Sequence, residues 1–95
     1  MERLPSLQLL ADILQSVLEG EIGAMNGADI TARLPNDIHP DVHDVMAHVE
    51  HFLADADIRA DDLHYRSMQE GQMKGLINAL RNNADSDKLL RFTFI

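Results

Sequence analysis

The hydrophobic positions of residues 39–57 follow the longest regular pattern in the chain. Apolar residues recur there at i, i+3, i+4, i+7, i+10, i+11 and i+14, namely Val42, Val45, Met46, Val49, Phe52, Leu53 and Ala56. Because a helix advances by about 100° per residue, these positions form one continuous stripe. The pattern predicts a core-facing helix, with Pro40 at its first position.

A second row of side chains lies on this helix, away from the apolar stripe. It consists of Asp44, His48, His51 and Asp55, and Asp41 sits beside it. We expect these acids and imidazoles to face outward while the opposite side anchors the core. A function should be sought first on this polar face.

Three further helices are predicted from periodicity and end signals. The first spans about 5–19, opens near Pro5, and presents Leu7, Leu10, Leu14, Val17 and Leu18, with Leu9 and Ile13 widening the face. A short second helix covers about 28–34, beginning at Asn26 or Gly27 and ending before Pro35.

The last predicted helix begins at Met68, because Ser67 and Glu70 have the spacing of a capping box. It runs to about Arg81 and buries Met73, Leu76, Ile77 and Leu80. Residues 57–65 before it are expected to form a loop or a short helical turn. Gly71 and Gly75, one turn apart, indicate a notch where another helix approaches closely.

The apolar tail, residues 88–95, is expected to dock as a short strand or a last helical turn. If it does not pack internally, it is an interface, and a homodimer through Phe92, Phe94 and Ile95 follows. The fold predicted for residues 1–95 is therefore all-α: a single small four-helix bundle with a short second helix and an apolar C-terminal tail.

Composition narrows the class of protein. Apolar residues make up 45% of the chain, only four side chains are aromatic, and there is no cysteine, which excludes disulfides and thiolate chemistry. No apolar run approaches the ~18 residues of a membrane span, and the N-terminus does not look like a secretory signal. We expect a soluble, cytoplasmic protein.

The formal charge of −8 is concentrated in one part of the chain. Residues 37–62 hold eight acids and one base, Arg59, a local charge of −7; residues 66–95 hold five bases and three acids, or +2. Such a distribution repels nucleic acid and anionic lipid and attracts a basic protein. We therefore predict a basic protein partner, and neither nucleic-acid nor membrane binding.

No pattern indicates an enzyme. The serines lie in no nucleophile elbow and no glycine-rich loop follows a strand, so neither catalysis nor a cofactor is predicted. Asp44, His48 and His51 are the candidates for a metal site on one helix face, but the H-E-x-x-H and paired E-x-x-H spacings of helical metal sites are missing. We predict no metal site.

Three segments in order resemble the colicin-D-type immunity proteins. They are LEGEI at residues 18–22, FLADAD at residues 52–57 after the long third helix, and QMKGLINAL at residues 72–80. The resemblance covers most of the chain. It implies a small acidic four-helix bundle that inhibits a tRNA-cleaving toxin domain, with the acids of the third helix and the following loop occupying a basic nuclease site in place of RNA phosphates.

The resulting hypothesis is a small acidic protein-binding module, a bacterial immunity or inhibitor protein that blocks a basic nuclease-type toxin by charge mimicry. Asp41, Asp44, Asp55, Asp57, Asp61 and Asp62 would supply the charge, joined in the interface by His48, His51 and, as the aromatic anchor, Tyr65. The alternatives are a helical adaptor that associates through its apolar tail and a metal- or pH-responsive protein built on His39, His43, His48 and His51.

Overall fold

The structure is a computed structural model and describes residues 1–20 and 27–94. Within these ranges the chain forms helices and no strand, so the all-α prediction is confirmed. The helices are α1 (Arg3–Leu18), α2 (Gly27–Arg33), α3 (Pro40–Ala54), α4 (Ala56–Asp61), α5 (Leu63–Arg81) and α6 (Ser86–Leu89). Two short helices, α4 and α6, are thus added to the four that were predicted.

The three long helices supply most of one continuous hydrophobic core. The stripe predicted on α3 is buried at Val42, Val45, Met46, Val49 and Phe52. α1 contributes Leu7, Leu10, Ala11, Ile13 and Leu14, and α5 contributes Met73, Leu76, Ile77, Ala79 and Leu80. Ile30, Leu34, Ile38, Leu89 and Phe94 close the core between them. The prediction for α3 extends too far at its end, because Ala56 is exposed and belongs to α4.

The predicted start of α5 is wrong by five residues. The helix begins at Leu63, and the Asp62 carboxylate caps it by accepting from the backbone N–H groups of His64 and Tyr65, both at 3.0 Å. Glu70 does not close a capping box; it accepts a hydrogen bond from Arg66 at 3.0 Å. The first turn was missed because its apolar residue, Leu63, is 72% exposed and carries no burial pattern.

α3 begins at Pro40 and α5 ends at Arg81 as predicted, and the ends of α1 and α2 differ from the prediction by one or two residues. α1 begins at Arg3, so Pro5 lies in the first turn. The N–H groups of a first turn have no acceptor within the helix, so the missing N–H of proline costs no hydrogen bond there. α2 ends at Arg33 before Pro35. The predicted start signal at Asn26 lies outside the described residues, as do Glu21 and Ile22 of the LEGEI segment and Ile95.

The tail after α6 packs inside the molecule rather than on its surface. Phe94 is fully buried, with its ring centroid 5.3 Å from that of Phe52, and its backbone binds α5: its N–H donates to Gln72 and its carbonyl accepts from Gln69, both at 2.8 Å. Phe92 is half-buried against α5, where a Cβ added to Gly75 would lie 2.7 Å from its ring. Gly75 therefore forms a notch, but the notch admits the Phe92 side chain of the tail and not another helix as predicted, and a Cβ on Gly71 would meet nothing within 4 Å.

Candidate functional site

The helix α4 presents its acids to solvent because Arg59 takes the inward position. Asp57 and Asp61 each lie two residues from Arg59, about 200° around the helix, and four residues from each other. Both carboxylates are exposed, and no residue of α4 is buried. The helix therefore lies on the surface with its acidic face outward.

Arg59 attaches α4 to the body of the protein. Its guanidinium lies over the Phe52 ring, with Cζ 3.8 Å from the centroid, and its Nη1 donates to the Phe52 carbonyl and, at 2.7 Å, to Gln69 Oε1. Burial of the guanidinium lowers the pKa of Arg59, while the nearby Asp55 and Glu70 act in the opposite direction. Arg59, the one base among residues 37–62, therefore makes its polar contacts within the protein.

Gln69 is the centre of a polar network beneath α4. It is fully buried, and its Nε2, which carries two hydrogens, lies within hydrogen-bond distance of three acceptors: Phe94 O at 2.8 Å, Tyr65 Oη at 2.9 Å and Asp55 Oδ2 at 3.0 Å. Through these bonds one side chain of α5 connects α4, the end of α3 and the C-terminal tail. No feature of the sequence distinguished Gln69 from the other glutamines, so it was missed.

Asp55 belongs to this network and does not point freely to solvent. Its Oδ2 accepts from Tyr65 Oη at 2.7 Å and lies 3.1 Å from His51 Nε2. The Tyr65 hydroxyl is the main cause that lowers the pKa of Asp55, with Gln69, His51 and Arg59 adding to the effect and burial opposing it. The same bond, reinforced by burial, raises the pKa of Tyr65. Tyr65, expected to be an aromatic anchor, has its hydroxyl engaged inside the protein.

Two other acids of the predicted binding face also have internal roles. Asp41 accepts from Arg3 Nε at 2.7 Å, and Asp62 caps α5. Asp44, Asp57 and Asp61 are exposed and form no ion pair or hydrogen bond through their carboxylates with the described part of the chain. The structure thus divides the six predicted acids equally: three are engaged within the fold and three face solvent.

The histidines are likewise distributed among separate partners. His48 Nδ1 lies 3.0 Å from the Phe92 carbonyl, whereas His51 faces Asp55. His39 Nδ1 accepts from the Asp41 backbone N–H at 3.1 Å and so caps α3, while His43 is exposed. Over residues 1–20 and 27–94, no three His, Asp or Glu side chains converge as a metal site, so Asp44, His48 and His51 are not brought together as one.

Exposed apolar side chains accompany the acids at α4. Ile58 is 47% exposed and Leu63, directly after the capping residue Asp62, is 72% exposed. These residues were not predicted as part of the site. The available signal was that the apolar period of α3 stops at Ala56 and that neither Ile58 nor Leu63 belongs to the period predicted for the last helix. α4 and the first turn of α5 therefore combine carboxylates with apolar surface, as protein interfaces do.

No family model, curated protein or solved structure matches this chain. The resemblance to the colicin-D-type immunity proteins therefore stays a prediction. Among the helices of the described ranges, none has both the length and the apolar character required to cross a bilayer.

Proposed function

We propose that this protein is a protein-binding module whose partner is a basic protein. The observation that carries the proposal is α4, a surface helix that directs Asp57 and Asp61 into solvent while its single base, Arg59, is turned inward. We define Asp57, Ile58, Asp61 and Leu63 as the α4 face. Positive side chains of a partner would meet two carboxylates one helical turn apart.

Charge and apolar contact have different tasks in this interface. The carboxylates increase the rate of encounter with a positively charged partner, an effect that salt weakens because exposed charges are screened over ~8 Å at physiological ionic strength. Ile58 and Leu63 would lose their exposed area in the complex, and burial of apolar surface slows dissociation. The module thus associates quickly through charge and is retained through apolar contact.

The network beneath α4 supports binding by fixing the helix before the partner arrives. Arg59 and Gln69 hold α4 against α3 and α5, so little conformational entropy remains to be lost on docking. Asp55 serves this internal network. Charge reversal there would disturb the fold, whereas reversal at Asp57 and Asp61 would alter only the surface.

The resemblance to immunity proteins supports a more specific form of the proposal, inhibition of a nuclease-type toxin. A nuclease site that binds RNA phosphates is basic, and Asp57 and Asp61 would enter it in place of two phosphates. Asp44 extends the negative field along α3. Inhibition by occupation of the site requires no catalytic group in this chain.

Site-specific cross-linking in the source cell tests the proposal. A photoreactive p-benzoylphenylalanine replaces Ile58 in one variant and, as the matched control, Leu4 in another; these side chains are 47% and 41% exposed. We expect one discrete cross-linked protein with an isoelectric point above about 9 from position 58, and none from position 4. An acidic or neutral partner, or equal labelling from both positions, would refute the proposal.

A charge variant makes the same test more specific. Asp57→Lys/Asp61→Lys should remove the position-58 product while far-ultraviolet circular dichroism stays unchanged, because both side chains are exposed and neither carboxylate has a hydrogen bond or ion pair within the described residues. If the product persists in the charge-reversed protein, the α4 face is not the binding site.

A further inference from the structure

A groove lies on another side of the protein, between the end of α2, the connector to α3, and α3 itself. Its volume is about 340 Å³. Leu34, Ile38 and Met46, each less than 10% exposed, form its floor, and the Pro35 ring forms part of one wall. Volumes of this size are typical of small binding pockets. The concave shape and the apolar floor suit the burial of one aliphatic chain.

One carboxylate lies at the rim of this groove. His43, Met46, Ala47 and Glu50 line it from α3 at i, i+3, i+4 and i+7, which places all four along one side of the helix. Glu50 is the single formally charged residue among those that line the groove, and its carboxylate has no ion pair or hydrogen bond within the described chain. A cation at this rim would be attracted to Glu50.

We infer that the groove binds a lysine side chain of the basic partner. A lysine combines an aliphatic stem, which can lie along Ile38 and Met46, with an ammonium group that can reach the carboxylate of Glu50. Lysine fits better than arginine because its stem of four methylenes can lie along the apolar floor before its compact ammonium reaches Glu50, whereas the stem of arginine has three methylenes and ends in a planar group with five N–H donors.

The inference rests on the proposed function, because it assigns the groove to the same basic partner as the α4 face. Glu50 lies four residues before the end of α3, which corresponds to about 6 Å along the helix axis. The charged end of the groove therefore lies near the end of α3, from which α4 continues. The groove would select lysine by its stem, while the α4 face responds to positive charge of either kind.

The test uses a capped peptide, Ac-GKGKGK-NH2, titrated into the ¹⁵N- and ¹³C-methyl-labelled protein at pH 8. A matched peptide carries 2,4-diaminobutyrate in place of lysine and so keeps the ammonium on a stem two methylenes shorter. We expect the lysine peptide to shift the Ile38 and Met46 methyl signals and the amides of Asp57 and Asp61. The short-stem peptide should shift the α4 signals equally and bind the groove at least fivefold more weakly.

Two variants locate the effect in the groove. Glu50→Gln should weaken the groove shifts at least fivefold and leave the α4 shifts unchanged, while Glu2→Gln, which removes an exposed acid before α1, serves as the control. Ala47→Leu, which fills the groove, should abolish the groove shifts. Circular dichroism of each variant confirms that the fold is intact.

Each result separates the inference from the proposed function. Shifts confined to the α4 face, or groove shifts of equal size with both peptides, overturn the lysine site and leave the proposed function standing. Groove shifts that persist in Asp57→Lys/Asp61→Lys, without any α4 response in the wild type, support the lysine site and contradict the proposed function. An absence of shifts at both places refutes both.

Discussion

Replacement of Gln69 by leucine tests the network that holds α4 in place. Gln69 is fully buried and makes hydrogen bonds to α3, α4, α5 and the tail. Leucine has a similar volume and keeps the packing, so the change removes the polar contacts without opening a large cavity. The experiment therefore isolates the contribution of hydrogen bonding.

The magnitude follows from the groups that lose a partner. The carbonyl of the buried residue Phe94 loses the Gln69 donor, and a buried group left unsatisfied costs about 1–3 kcal/mol. The Arg59 guanidinium loses one acceptor but keeps the Phe52 carbonyl and ring. Asp55 keeps Tyr65. We expect a total loss of about 3 kcal/mol in the free energy of unfolding, a large part of the roughly 5–14 kcal/mol typical of a domain this size.

Urea denaturation followed by circular dichroism at 222 nm measures this loss, and thermal unfolding should show a midpoint about 15 °C lower. The matched control is Gln8→Leu, an exposed glutamine of α1, for which a change of less than about 0.5 kcal/mol is expected. Amide exchange at Phe94 should also accelerate, because its N–H bonds to Gln72 at 2.8 Å only while the tail is docked. Equal stability of the Gln69→Leu and wild-type proteins would refute the role given to the network.

Two further predictions concern the glycines of α5 and the pH dependence of stability. Gly71→Ala should stabilise the protein by about 0.7 kcal/mol, because the added Cβ meets nothing within 4 Å. Gly75→Ala should give no gain in stability or a loss, because its Cβ would lie 2.7 Å from the Phe92 ring. Equal denaturant midpoints for the two variants would contradict the notch at Gly75. Because the pKa of Asp55 is lowered in the folded protein, this group stabilises the fold above about pH 4, and that stabilisation is lost as the pH falls further. Because the pKa of Tyr65 is raised, its contribution to the stability of the fold is lost as the pH rises above about 10. Tyr65→Phe should therefore flatten the stability profile at both ends, and a profile parallel to that of the wild type would contradict the bond.

The sequence predicted the core of this fold because burial follows a simple period. On α3 the apolar stripe from Val42 to Phe52 is buried as expected, and Pro40 opens the helix. The start of α5 was missed because its first turn is exposed and has no apolar pattern. The helix starts where the carboxylate of Asp62 caps it. An apolar period reveals only helices that have a buried face, and no residue of α4 is buried.

The candidate site was predicted only in part, since a sequence shows which residues are charged but not which ones meet. Arg3 and Asp41 are 38 residues apart in the chain and form an ion pair at 2.7 Å. Asp55 is held by residues of α5, and Arg59 turns inward because Phe52 and Gln69 offer it a ring and an oxygen. Such partners remove Asp41 and Asp55 from the predicted face, local capping of α5 removes Asp62, and the acids of α4 remain as its centre.

The association rate constant with the cross-linked basic partner tests the account most directly. It is compared between wild type, Asp57→Lys/Asp61→Lys, and Glu2→Lys/Asp87→Lys, a control that changes the net charge equally at two exposed positions elsewhere. We predict at least a tenfold decrease at low salt for the α4 variant and a less than threefold decrease for the control. Equal rates for the two variants would show that net charge alone governs association, and the α4 face would not be the binding site.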